Sequence, residues 1–73
     1  MYFPRLEDLR NDHDKTQQEM ADLLHLNREV YRRYEKGLRE IPVWALIKLA
    51  DYYQTSTDYL LSRTQRSEPY PKK

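Results

Sequence analysis

Residues 16–37 read TQQEMADLLHLNREVYRRYEKG, and this stretch decides the fold. Its first four residues form a capping box. The Thr16 hydroxyl can accept from the Glu19 amide, while the Glu19 carboxylate reaches back to the Thr16 amide, so two orphan donors of a helix start are satisfied. Met20, Ala21 and Leu24 then recur at helical spacing. Asn27 is a good N-cap for a second helix. That helix is expected to end near Gly37, the only glycine, as a left-handed residue just past a helix end. Only His25 and Leu26 separate the two helices, a connection short enough for a helix-turn-helix arrangement.

The helix that starts at Asn27 has two unlike sides. At about 100° per residue, Val30, Tyr31 and Tyr34 share one face. Arg28, Arg32, Arg33 and Lys36 lie opposite, with Glu29 among them and Glu35 on the flank. A solvated face would alternate in sign, whereas this one sets four cations against one carboxylate. Arginine can grip guanine O6 and N7 with two bonds, glutamate can accept from cytosine N4, and such a helix fits the major groove of B-DNA.

The wider composition agrees. Residues 28–39 carry five cations against two acids, while residues 1–27 carry three against six and residues 40–61 one against three. Residues 62–73 are basic again, four against one. Positive charge is therefore gathered into one central segment and the tail, where it can face phosphate. With 73 residues the chain has room for one domain. It has no cysteine, which excludes disulfides and thiol chemistry. His13 and His25 lack zinc-ligand spacing, and a single glycine cannot build a phosphate loop. No apolar run approaches the ~20 residues of a membrane span, and MYFPRLEDLR has no signal-peptide pattern. The expectation is a cytoplasmic binding module with no enzyme activity, no catalytic residues, no metal, no cofactor and no membrane partner. The acids Asp8, Asp12 and Asp14 read as solvated.

Three further helices are expected. One runs from about Pro4 to Asp12, with proline at a first helical position and Phe3, Leu6 and Leu9 inward. A fourth helix runs from about Pro42 to Tyr53, and a short fifth is capped by Ser56. The domain is expected over residues 1–61, followed at 62–73 by a flexible, basic tail with Pro69 and Pro71.

Several pieces combine here: Thr16-Gln17-x-x-Met20-Ala21-x-x-Leu24, Tyr34-Glu35-Lys36-Gly37, Ile41-Pro42, Leu46-Ile47-Lys48-Leu49-Ala50 and Asp58-Tyr59-Leu60-Leu61. Together they resemble the Cro/phage-repressor helix-turn-helix family, also called the XRE family, over residues 3–61. The resemblance implies a compact, all-α, five-helix domain of the lambda-repressor type, of prokaryotic or phage origin, whose third helix reads bases. It implies that Gln17 touches the DNA backbone or an edge base. By the same resemblance Arg28, Glu29 and Arg33 face base edges, and Arg32 and Lys36 lie near phosphates or bases. Asn27 and Arg39, at the two ends of the basic segment, complete the candidate DNA-binding set. Arg10 and Glu35 match a family ion pair between the first and third helices. Two positions depart from the pattern. His25 and Gln54 stand where the family usually has glycine, and positive φ there would cost each roughly 1–2 kcal/mol.

Seven tyrosines could suggest base stacking, but Tyr31, Tyr34, Tyr53 and Tyr59 fall at core positions. On the fourth helix Val43, Leu46, Ile47, Ala50 and Tyr53 form the expected apolar arc, which leaves Trp44 and Tyr52 outside it. Two large aromatics outside the core make a candidate homodimer surface. A dimer would read a palindrome with half-sites about 34 Å apart. The leading expectation is a sequence-specific regulator of transcription, a repressor that binds double-stranded DNA. The alternative is a protein-interaction module, such as the antitoxin of a toxin–antitoxin pair, with the tail as the partner-binding segment.

Overall fold

The computed structural model describes residues 2–68. It is all-α, with α1 Pro4–Asp12, α2 Gln17–Leu23, α3 Arg28–Glu35, α4 Val43–Tyr53 and α5 Thr57–Leu60, and no strand among the described residues. Thr16 caps α2 in the complete reciprocal box, Asn27 caps α3 through the Val30 amide, and Ser56 caps α5 through the Tyr59 amide. Pro4 opens α1, and Pro42 precedes α4 in extended backbone. The starts are thus fixed locally, by side chains that satisfy amides or by a residue that lacks one.

The five ends share one device. In each, the residue just past the helix takes positive φ: Asp14 (54°), His25 (57°), Gly37 (75°), Gln54 (55°) and Ser62 (62°). The amide after it turns back to a carbonyl five residues earlier: Lys15 to Arg10, Leu26 to Ala21, Leu38 to Arg33, Thr55 to Ala50 and Arg63 to Asp58. These are Schellman closures, which satisfy the last carbonyls and turn the chain sharply. His25 and Gln54 adopt the strained conformation that their sequence positions suggested, and Asp14 and Ser62 adopt it as well. Gly37 also meets a second demand. A Cβ there would lie 2.8 Å from the Tyr2 Cα.

The left-handed cost makes a prediction. His25→Gly should raise stability by roughly 1 kcal/mol, less the extra entropy of glycine in the unfolded chain. Gln54→Gly should gain less, because the Gln54 amide donates to the Asp51 carbonyl at 2.7 Å and that bond would be lost. Thermal unfolding of both variants measures this; equal gains would mean the Gln54 bond contributes nothing.

α2 packs on α3, α4 packs on α5, and α1 touches both α3 and α5. The core is Leu6, Met20, Ala21, Leu24, Tyr31, Ala45, Leu46, Leu49, Ala50, Tyr53 and Leu60. Tyr31, Tyr34 and Tyr53 are buried, while Tyr59 is only half-buried. One expectation fails in α4. Val43 and Ile47, assigned to the apolar arc, are 69% and 49% exposed. The buried side is Ala45, Leu46, Leu49, Ala50 and Tyr53. The segment VWALIKLADYY is apolar on most sides, so packing selects the face whose two alanines allow close approach.

The chain beyond Leu61 keeps contact with α1. The Arg5 guanidinium donates to the carbonyls of Tyr59 (2.9 Å) and Thr64 (2.6 Å) and to the Gln65 side chain (2.7 Å). It also lies 4.0 Å from the centre of the Tyr59 ring, within cation–π range. Contact with the helical body therefore extends past residue 61. The tail residues Pro69, Pro71, Lys72 and Lys73 lie outside the described residues.

Candidate nucleic-acid interface

The orientation of α3 is set from underneath by a charge cluster. The Glu35 carboxylate is 0% exposed, and it accepts from Arg10 Nε at 2.9 Å and Arg10 Nη2 at 3.0 Å. Gln17 Nε2 adds a bond to the same carboxylate at 3.2 Å. Arg10 Nη1 turns to the Lys15 carbonyl at 2.9 Å, at the entry to α2. One guanidinium and one carboxylate thereby tie α1, α2 and α3 together. Burial alone would push the Glu35 carboxyl up. The Arg10 hydrogen bonds, with the Tyr31 hydroxyl and Gln17 behind them, outweigh it and hold the carboxyl below the usual range. Arg10 is raised in turn by its bond to Glu35.

With Tyr31, Tyr34 and Glu35 buried, the other side of α3 faces outward. Arg28, Glu29 and Arg33 are exposed there and Arg32 is half-exposed. Arg32 grips Glu29 with both ends of its fork, at 2.6 and 3.1 Å. Arg33 Nε lies 3.4 Å from the same carboxylate. The Arg32 hydrogen bond keeps Glu29 below the usual carboxylate range, so it is charged at neutral pH. Lys36 is drawn back toward α1, its Nζ 2.7 Å from Glu7 Oε1, a bond that raises the Lys36 pKa. Arg28 and Arg39 are exposed and make no ion pair among the described residues.

Other sequence-selected residues separate from this face. Asn27 spends its side-chain oxygen on the Val30 amide. Gln17 is turned toward Glu35, so in this structure it positions α3. Beside it lies a depression of about 520 Å³ lined by Arg10, Lys15, Thr16, Gln17, Gln18 and Arg28. It joins the start of α2 to the start of α3 and carries three cations. Lys15 is the residue that sequence reading passed over here. It sits in the loop before a capping box, and no helical face includes it.

Trp44 and Tyr52 occupy opposite ends of α4, eight residues or about 12 Å apart along the axis. Trp44 is 50% exposed and has Val43 and Ile47 as exposed apolar neighbours on the helix. Tyr52 packs edge-on against Tyr53 at 5.2 Å and borders a second depression, formed with Glu19, Met20 and Leu23 of α2. The two aromatics belong to different surroundings.

The geometry is that of two packed helices, with the second one's polar face turned out, and the family model described as helix-turn-helix matches residues 6–60. The chain belongs to this helix-turn-helix family. Within the family it is 37% identical to the HTH-type transcriptional regulator AnsR of Bacillus subtilis (strain 168), over 97% of this chain and 61% of that protein. It is 39% identical to the SPbeta prophage-derived uncharacterized HTH-type transcriptional regulator YonR of the same organism, over 88% of this chain and 59% of the relative. Identity to the HTH-type transcriptional regulator ImmR, again from Bacillus subtilis (strain 168), is 34% over 88% of this chain and 50% of that protein. The chain thus spans between half and about three-fifths of the length of these relatives. No solved structure matches the chain at comparable significance. Among the described residues, no helix is long and apolar enough to cross a membrane.

Proposed function

We propose that this domain binds double-stranded DNA in a sequence-specific way and regulates transcription, as a repressor that occludes its operator. The observation that carries the reading is the outward face of α3: Arg28, Arg32 and Arg33 with Glu29, on a helix held at a fixed angle by the buried Arg10–Glu35 pair. Its similarity to HTH-type transcriptional regulators supports it. In this reading α3 enters the major groove. Arg28, Glu29 and Arg33 meet base edges, and Arg32 lies at their side. Arg39 and Lys15, at the edge of the cationic depression, take the flanking phosphates. Lys36 adds a phosphate contact only by leaving Glu7. Gln17 and Asn27 act mainly on the geometry of the two helices.

The domain acts as a homodimer on a palindrome, with the exposed Trp44, Val43 and Ile47 of α4 as the joining surface. These apolar side chains would lose water on contact, and a two-fold arrangement presents both α3 helices to one side of the duplex. The test is selection from a randomised duplex pool at about physiological salt, because low salt inflates sequence-blind binding. The expected product is a palindrome with half-sites one turn apart. Enrichment of a single half-site overturns the dimer. A pool with no enriched sequence overturns the specific-binding reading and returns attention to a protein partner.

A further inference from the structure

We propose that Glu29 is a specificity-determining residue of α3. Its carboxylate holds Arg32 and Arg33 back from arbitrary phosphates and releases them on a base sequence that offers it a donor. The inference deepens the DNA-binding reading above and rests on it.

The geometry is a three-residue cluster on the exposed side of one helix. Glu29 Oε1 is 2.6 Å from Arg32 Nη2 and 3.4 Å from Arg33 Nε, and Arg32 Nε reaches Oε2 at 3.1 Å. All three side chains are substantially exposed, Glu29 the most at 52%. No core residue depends on this carboxylate. The carboxylate is charged at neutral pH, and the Arg32 bond holds it further below the usual carboxylate range. Lys36 is similarly occupied by Glu7. Three of the five cations on residues 28–39 are therefore paired before any DNA arrives.

This pairing matters because phosphate attraction is blind to sequence. If Arg32 and Arg33 both leave Glu29 for phosphates, the carboxylate is left unpaired beside a polyanion. Guanine N7 and O6 and thymine O4 are acceptors and cannot satisfy it. The amino groups of cytosine N4 and adenine N6 can. A site with such a donor at the right step accepts Glu29 and frees both arginines together. Any other site gains the arginines only by stranding an acid. The carboxylate thus acts against wrong sequences more than it strengthens the right one, which is specificity by repulsion.

The test compares the full chain with Glu29→Gln and with Asp22→Asn, which removes the same charge from exposed α2. Each is titrated by fluorescence anisotropy against the selected duplex and a scrambled duplex of equal composition, over a range of salt. Circular dichroism checks that helix content is kept. For Glu29→Gln, scrambled DNA should bind about tenfold more tightly, and the salt slope should steepen by about one or two, the count of arginines released. The ratio of selected to scrambled affinity should fall by about five- to 150-fold. Asp22→Asn should leave that ratio in place. A helix-supporting role alone would move neither the slope nor the ratio. An unchanged ratio in Glu29→Gln overturns this inference and leaves the DNA-binding reading standing. An equal fall in Asp22→Asn also overturns it, since net charge would then suffice. Failure of the unmodified chain to bind either duplex overturns both.

Discussion

Arg10→Ala is expected to destabilise the protein by about 3–5 kcal/mol, because it leaves the fully buried Glu35 carboxylate without its cation. For a chain of 73 residues, total stability is roughly 4–11 kcal/mol, so the loss takes a large part of that margin. Three bonds go at once: two to Glu35 and one to the Lys15 carbonyl. Arg10→Lys should recover only part of the loss, since an ammonium cannot reproduce the two-pronged grip. Removing both charges, as in Arg10→Met with Glu35→Leu, should cost far less than Arg10→Ala alone. The pH dependence separates this cause from a packing defect. In the unmodified protein the Glu35 pKa lies below its unfolded value. Its stabilisation is therefore complete above the ordinary glutamate range and is lost as pH falls through the folded value. In Arg10→Ala the carboxyl is buried without its cation, its folded pKa rises above the unfolded one, and acid becomes stabilising. Urea unfolding at pH 7 and pH 5 should show the gap between the two proteins narrowing at pH 5. A constant gap would mean that Arg10 acts through packing alone.

Arg28→Ala and Arg33→Ala are each expected to weaken binding to the selected duplex by about 1–3 kcal/mol and to relax preference at one base position. Arg28 makes no ion pair among the described residues and borders the depression at the start of α2, so its charge is available at once. Arg33 lies 3.4 Å from Glu29 and is released with Arg32 on the selected sequence. Lys36→Ala should have a smaller effect on DNA than either, because Lys36 already holds Glu7 at 2.7 Å and would trade one partner for another. As an exposed pair, Lys36–Glu7 should also contribute little stability, about 0–1 kcal/mol. Anisotropy titrations with single-base variants of the selected duplex measure both affinity and preference. If Arg33→Ala leaves both intact, α3 does not present that face to the groove.

The sequence by itself determined the pieces governed by near neighbours. Thr16 with Glu19, Asn27 with Val30 and Ser56 with Tyr59 each close a bond within three residues, so the starts of α2, α3 and α5 are written locally. The inward face of α3 was legible for a similar reason. Tyr31 and Tyr34 are apolar in body and the opposite side is charged, so only one orientation buries the right atoms. The αL residues at His25 and Gln54 could be anticipated from a glycine pattern, but Asp14 and Ser62 could not, because polar residues in loops carry no mark of positive φ.

The tertiary structure alone decided three matters. It chose the buried side of α4, because a helix apolar on most sides leaves that choice to its neighbours; this freed Val43 and Ile47 for the surface. It decided that Lys36 of the basic segment is already paired. Lys36 meets Glu7, 29 residues away, and a bond of that span depends on how α1 lies across α3. It also brought Arg5 to Thr64 and Gln65 across about 60 residues, which extends the packed body beyond α5. Local rules act through backbone dihedrals a few residues apart. These contacts depend instead on the angle at which separate helices pack, which the buried Arg10–Glu35–Gln17 cluster fixes for the first three.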